Sequence, residues 1–223
     1  VARQPIFSPG QEVVAYELLF RSGLQNVFPE RDPNEASARV MSDSALLMEL
    51  ETISNGKPAF INITREILVG GLATLLPREL VVLEILESIQ PDDEVIEASR
   101  RLKEAGYHLA LDDFAYDPRY RKMMELVDII KVDFRATVGE ERRRSVERVG
   151  GKPVKLLAEK VETLAEFEQA RDMGYVLFQG YFFDKPQIVH AKDISGYKHN
   201  YLRLLQEIHK PELHYQELAL VIR

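Results

Sequence analysis

His108-Leu109-Ala110-Leu111-Asp112-Asp113 is a short apolar run that ends abruptly in two carboxylates. Ile129-Ile130-Lys131-Val132-Asp133 has the same form, and Ala59-Phe60-Ile61-Asn62-Ile63 carries its polar group one residue before the end. Brief β-branched or apolar runs bounded by polar breaks read as strands. Working outward, the pattern predicts seven: residues 13–19, 59–63, 80–85, 108–111, 129–132, 154–158 and 176–178. The intervening stretches carry helical periodicity, at 35–52, 65–76, 92–105, 119–126, 140–149 and 163–173. Thr163 with Glu166 has the spacing of a capping box, while Gly106 and Gly174 read as helix stops.

Strands alternating with helices predict a parallel sheet, either open or closed into a barrel. The polar strand ends favour the barrel. Glu17, Asn62, Glu84, Asp112 with Asp113, Lys131 with Asp133, Glu159 and Gln179 would spread along a line in an open sheet. In a parallel barrel they converge on one rim, where barrel enzymes place their chemistry. The pattern does not locate an eighth strand.

Composition narrows the function classes. The 223 residues are 45% hydrophobic and 29% charged, a globular balance that excludes disorder. Thirty-six acidic against 29 basic side chains leave a net charge of −7, which disfavours a nucleic-acid polymer as partner. A small phosphorylated ligand remains compatible, because local cations override an average field. The absence of cysteine removes disulfides, thiolate metal sites and a cysteine nucleophile, and fits a reducing cytoplasm. No apolar run approaches the roughly 20 residues of a membrane span, and the first residues lack a signal-peptide pattern. The start at Val1 rather than Met predicts a trimmed chain. Beyond Pro186 the strand pattern stops, and residues 197–208 and 212–222 read as amphipathic helices broken at Pro211. The expected organisation is a barrel domain over 1–192 and the truncated beginning of a helical domain over 193–223.

Five rim carboxylates, Glu17, Glu84, Asp112, Asp113 and Glu159, would repel one another strongly without a cation. A divalent metal resolves this. Oxygen-only ligation with Asn62 adding a carbonyl suits Mg²⁺ or Mn²⁺ rather than zinc. Adjacent Asp112 and Asp113 could reach two ions, a pair that would polarise a phosphate and generate a nucleophilic water, with Lys131 as clamp or water-orienting group. Any one of these carboxylates alone reads as a helix cap or solvated turn. The five histidines show no pairing near the acidic rim, Gly70-Gly71 lacks the context of a dinucleotide cradle, and residues 140–144 read as a solvated helix face.

In order and content these motifs resemble the EAL family of cyclic di-GMP phosphodiesterases. Gln4-Pro5-Ile6 is similar to the family's opening, and Tyr16-Glu17-Leu18-Leu19-Phe20-Arg21 stands in the place of its naming motif. Ile61-Asn62-Ile63-Thr64, Leu83-Glu84-Ile85-Leu86-Glu87, Leu111-Asp112-Asp113-Phe114, Ile130-Lys131-Val132-Asp133, Ala158-Glu159-Lys160-Val161-Glu162 and Phe178-Gln179-Gly180-Tyr181 follow in family order. The resemblance implies a modified (β/α)8 barrel in a cytoplasmic bacterial signalling protein. It implies that Glu17, Asn62, Glu84 and Asp112 hold one metal and that Asp113 helps hold a second. Glu159 would contact metal or the attacking water, and Lys131 would lie near that water. Gln179 would support the pocket, Arg21 would meet the ligand phosphate, and Glu87 would steady the loop after the paired aspartates. The reaction implied is hydrolysis of cyclic di-GMP to linear pGpG.

Two departures bear on that reaction. Where active members carry a Gly-Thr-Gly-type loop, this chain has Phe114-Ala115-Tyr116-Asp117-Pro118, and Lys160 replaces a glycine. Alanine and tyrosine do not share glycine's access to positive φ. With the helical tail, these features resemble a subgroup in which an EAL domain precedes an HDOD domain, and they imply a regulatory module with weak or absent turnover. The alternative is a working metal-dependent phosphodiesterase. Protein partners are expected on either reading, and a homodimer is compatible with the resemblance. Tyr181-Phe182-Phe183 reads first as packing at the barrel closure and second as a stacking wall for guanine.

Overall fold

The computed structural model of the chain describes residues 2–19, 50, 53–114, 117–149 and 153–188. Strands β1 (Ala2–Phe7), β2 (Val13–Leu19), β3 (Ala59–Ile63), β4 (Val81–Ile85), β5 (His108–Leu111), β6 (Ile129–Asp133), β7 (Lys155–Glu159) and β8 (Leu177–Phe178) join in one ring. From β2 to β8 each strand pairs in parallel with the next, and β1 closes the ring by pairing antiparallel with both β2 and β8. The short β9 (Gln187–Ile188) adds to β1 beside Ala2 and Arg3. The expected closed barrel is therefore present, and its unlocated strand is β1. Arg3, Gln4 and Pro5 hide β1 from a pattern reading, because polar residues and a proline count against a strand.

Strand periodicity of two sorts the side chains into two cores. One set points into the barrel: Ile6, Ala15, Phe60, Val82, Ala110, Ile129 and Leu157 form a buried cluster, with Leu177 packed against it. The alternate set, including Ile61, Leu83, Ile85, Leu109, Leu111, Ile130, Val132 and Leu156, packs outward in the larger cluster that includes helix residues. Filling the interior makes the barrel a packed core rather than a pore.

The outer helices are α1 (Arg65–Val69), α2 (Asp93–Glu104), α3 (Gly139–Val149) and α4 (Leu164–Met173). Helix α2 is capped by Asp92, whose side chain accepts from the Val95 N–H, and it buries Val95, Ile96, Ala98 and Leu102. Helix α4 opens with the expected capping box, Thr163 and Glu166 each bonding to the other's backbone. Two expected helices come out differently. The stretch 65–76 breaks after Val69, because Gly71 takes φ +74 and starts a separate 3₁₀ turn, Leu72–Leu75. The stretch 119–126 becomes two 3₁₀ turns, Pro118–Tyr120 and Met123–Glu125. Of the expected helix at 35–52 only Leu50, helical and buried, is described. The tail helices and the boundary at 193 lie outside the described residues. Among the described residues no helix is long and apolar enough to cross a membrane.

Candidate active site

The layer that fills the barrel also positions the site. Each parallel strand carries its next inward-facing side chain two residues beyond the apolar layer, and those residues are Glu17, Asn62, Glu84, Asp112, Lys131, Glu159 and Gln179. Strand β1 runs the other way, so its contribution lies two residues before Ile6, at Gln4. Register brings neighbours level. Asn62 is opposite Glu84, and Gln4 is opposite Glu17. The Asp112 N–H continues the ladder by donating to the Ile85 carbonyl at 3.0 Å. Above this layer lies a cavity of about 340 Å³ lined in part by Gln4, Glu17, Asn62, Asp112, Glu159 and Gln179.

At the centre stands Lys131, fully buried. Its Nζ lies 2.5 Å from Glu84, 2.7 Å from Asp112, 2.9 Å from Glu159 and 3.7 Å from Glu17. Burial opposes the ammonium, yet the surrounding carboxylates outweigh it and raise its pKa well above the ordinary lysine value. Four carboxylates against one ammonium leave excess negative charge in a mostly buried site. Burial pushes the Glu84 carboxyl well above its usual range despite Lys131. It carries Glu159 up to about 8, helped by the Asp112 and Glu17 charges.

The donor set fits a hard divalent cation. Asn62 Oδ1, Glu84 Oε2, Glu159 Oε2 and Gln179 Oε1 are all buried without a hydrogen-bond partner. Unpartnered buried oxygens are costly, and oxygens of this kind are Mg²⁺ or Mn²⁺ ligands. Of these, Glu84 lies beneath the cavity rather than on its wall.

A second acidic group sits further out. Glu87, Asp112 and Asp113 each offer a carboxylate oxygen within 4.8 Å of the others. The Tyr120 hydroxyl donates to the Glu87 carbonyl at 3.0 Å and to the Ile89 carbonyl at 3.2 Å, tying this loop to the segment after the paired aspartates. Lys160 turns inward here: its Nζ lies 3.1 Å from Asp113 and 2.6 Å from Asp133. The Val161 backbone, one residue on, packs against Gly180, where an added Cβ would fall 2.1 Å from the Val161 carbonyl oxygen.

The structure thus brings Glu17, Asn62, Glu84, Asp112, Lys131, Glu159 and Gln179 together, with Asp113 and Glu87 beside them. Arg21 lies outside the described residues, as do Ala115 and Tyr116. Sequence reasoning missed Gln4, Leu19 and Leu86 as lining residues; it set Lys160 beside the Glu159 carboxylate without fixing its direction, and the structure puts it in the wall. The two-residue step from the apolar layer would have found Gln4 once β1 was recognised. Phe182 and Phe183 pack with Phe167, as expected of a closure, and Phe183 stacks on Phe7 at 4.7 Å. Tyr181 is exposed. His108, the one described histidine, is exposed beside Asp128 and away from the cavity lining.

Comparisons with known proteins agree with this arrangement. The EAL domain family matches residues 35–186. YuxH of Bacillus subtilis, an uncharacterized protein, is 40% identical over 217 residues, covering 95% of this chain and 53% of the relative. Cyclic di-GMP phosphodiesterase CdgJ of Vibrio cholerae is 39% identical over 219 residues, covering 96% of this chain and 50% of the relative. The chain spans about half the length of these curated relatives. Among solved structures, the calcium and cyclic di-GMP complex of Klebsiella pneumoniae BlrP1 superposes with a TM-score of 0.66 at 25% identity, covering 86% of this chain and 57% of that one.

Proposed function

The chain belongs to the EAL domain family, and on that premise we propose that it is a cyclic di-GMP signalling module whose pocket is a divalent-metal-dependent phosphodiesterase releasing linear pGpG. One observation carries the reading: the buried, unpartnered oxygens of Asn62, Glu84 and Glu159 face a layer of carboxylates that a single lysine does not neutralise.

Glu17, Asn62, Glu84, Asp112 and Glu159 would hold Mg²⁺ or Mn²⁺, with Asp113 and Glu87 at the outer edge. When bound, such an ion polarises a phosphate and makes a coordinated water nucleophilic near neutral pH. Water adds to phosphorus, one phosphodiester P–O bond breaks, and the leaving oxygen takes a proton. Lys131 keeps its proton under four carboxylates and so offers a fixed positive charge beside the phosphate and the attacking water. Glu159 would contact the ion or the attacking water through its unpartnered Oε2, and Gln179 donates to Glu17. Arg21 would meet a phosphate of the ligand. Cytoplasmic placement, an HDOD domain beginning at 193–223 and self-association as a homodimer belong to the same proposal.

A regulatory module with little turnover is favoured by two features: the Lys160 contact with Asp113 and the replacement of a glycine loop by Phe114-Ala115-Tyr116-Asp117. Substitution separates the readings. Glu17→Ala and Asp112→Ala should each abolish pGpG release by the phosphodiesterase. Turnover surviving both changes contradicts the metal-site assignment, whereas a wild-type protein that binds cyclic di-GMP without releasing product favours regulation.

A further inference from the structure

The inner and outer halves of the acidic pocket differ in what satisfies them. In the inner half Lys131 engages one oxygen each of Glu84, Asp112 and Glu159, which leaves Asn62 Oδ1, Glu84 Oε2 and Glu159 Oε2 without a partner. In the outer half the Lys160 ammonium already bridges two carboxylates. It donates to Asp113 Oδ1 at 3.1 Å and Oδ2 at 3.3 Å, and to Asp133 Oδ2 at 2.6 Å. Both oxygens of Asp113 are therefore engaged by one cation.

That cation is firmly placed. Asp133 ends β6, and its Oδ1 accepts the backbone N–H groups of Arg135 at 2.6 Å and Ala136 at 3.1 Å. The Asp133 side chain is 15% exposed, whereas those of Lys160 and Asp113 are 45% and 37% exposed, so the pair is buried at the Asp133 end and open to solvent at the other. Asp133 and Glu159 are in register across β6 and β7, so Lys160, the residue after Glu159, lies within reach of Asp133. The two residues joined across the pocket both have positive φ, +54° at Lys160 and +40° at Asp113. Side chains other than glycine take such conformations at a cost, and here the cost accompanies one specific contact.

We infer that the Lys160 ammonium stands in for a second divalent ion, so that the domain binds one ion in the inner half of the pocket while Lys160 supplies the second positive charge through Asp113 and Asp133. A divalent ion on Asp113 would have to displace the ammonium and sit against its repulsion. The inference rests on the metal-bearing reading of the pocket, and it departs from the two-ion site expected from the paired aspartates. It makes Lys160 a positioning residue.

Mn²⁺ is the probe, titrated into the full chain by calorimetry and followed by electron paramagnetic resonance. Wild type should bind one equivalent and give the signal of an isolated ion. Lys160→Gly removes both the charge and the backbone cost, and Lys160→Met removes the charge alone. Each should gain a second equivalent at least about tenfold tighter than any second equivalent in wild type, with the spin coupling of a close Mn²⁺ pair. Lys160→Arg should remain at one. Circular dichroism and thermal unfolding establish that each variant is folded, and either charge-removing variant suffices. Two equivalents in wild type, or one in every folded variant, overturn the inference while leaving the metal-bearing reading intact. No Mn²⁺ bound by any form overturns that reading and the inference with it.

Discussion

Gln179 Nε2 donates to Glu17 Oε2 at 2.6 Å, although the two lie 162 residues apart and belong to opposite sides of β1. Strand β1 is the antiparallel member that closes the barrel, so this bond spans the closure in the layer that carries the site. The Glu17 side chain is 10% exposed, and Gln179 is buried. Barrel closure and the placement of a carboxylate of the proposed metal site are thus one structural event.

Gln179→Met keeps the bulk and removes the donor. Hydrogen bonds to charged groups contribute about 1.5 to 3 kcal/mol, so the metal-free protein should lose stability of that order in urea unfolding. A loss below roughly 0.5 kcal/mol would show that Glu17 finds another partner. In that case the bond does not hold the closure.

Lys131→Met leaves Glu17, Glu84, Asp112 and Glu159 around an apolar side chain. Removing one partner of a buried charged group typically costs about 3 to 5 kcal/mol. The expected result is a variant much less stable than wild type without metal and substantially restored by Mn²⁺, read by urea unfolding with and without the ion. Equal metal-free stability of the two proteins contradicts the account of the cage.

Tyr175 gives a pH prediction away from the site. Burial pushes its phenol up to about 12, and its hydroxyl donates to the Arg142 carbonyl at 3.1 Å. The folded state therefore prefers the neutral phenol. Its contribution is fully present below the ordinary tyrosine value near 10 and is lost as pH rises from there toward 12. The difference between the two values corresponds to roughly 2 to 3 kcal/mol. Tyr175→Phe should cost about 0.5 to 1.5 kcal/mol at neutral pH and should flatten the alkaline fall relative to wild type. Parallel curves for the two proteins above pH 10 would contradict this.

Much of this molecule is legible in its sequence, for reasons particular elements make plain. Strands such as 59–63 and 129–133 are apolar on both faces because one face fills the barrel and the other packs outward. Their polar ends are conspicuous for that reason. Asp92 and Thr163 start helices through local hydrogen bonds, so α2 and α4 fall within a residue or two of their expected limits. Strand β1 was hidden because Pro5 and its polar neighbours match no strand pattern, and only the ring's need for closure explains them. The stretch 65–76 is periodic throughout, yet Gly71 at positive φ divides it. The positive φ of Lys160 has a sequence signal, since it stands where the family pattern has glycine, but the direction of its side chain has none.

The most direct test of the central claim is chromatographic analysis of cyclic di-GMP after incubation with the purified protein, once stripped with chelator and once supplied with Mn²⁺ or Mg²⁺. A Glu17→Ala control runs alongside. The account predicts pGpG only in the metal-supplied wild type, with none from the stripped protein or from Glu17→Ala. Product formed equally by the stripped protein or the control, or no product from the metal-supplied wild type at high protein concentration, would contradict it.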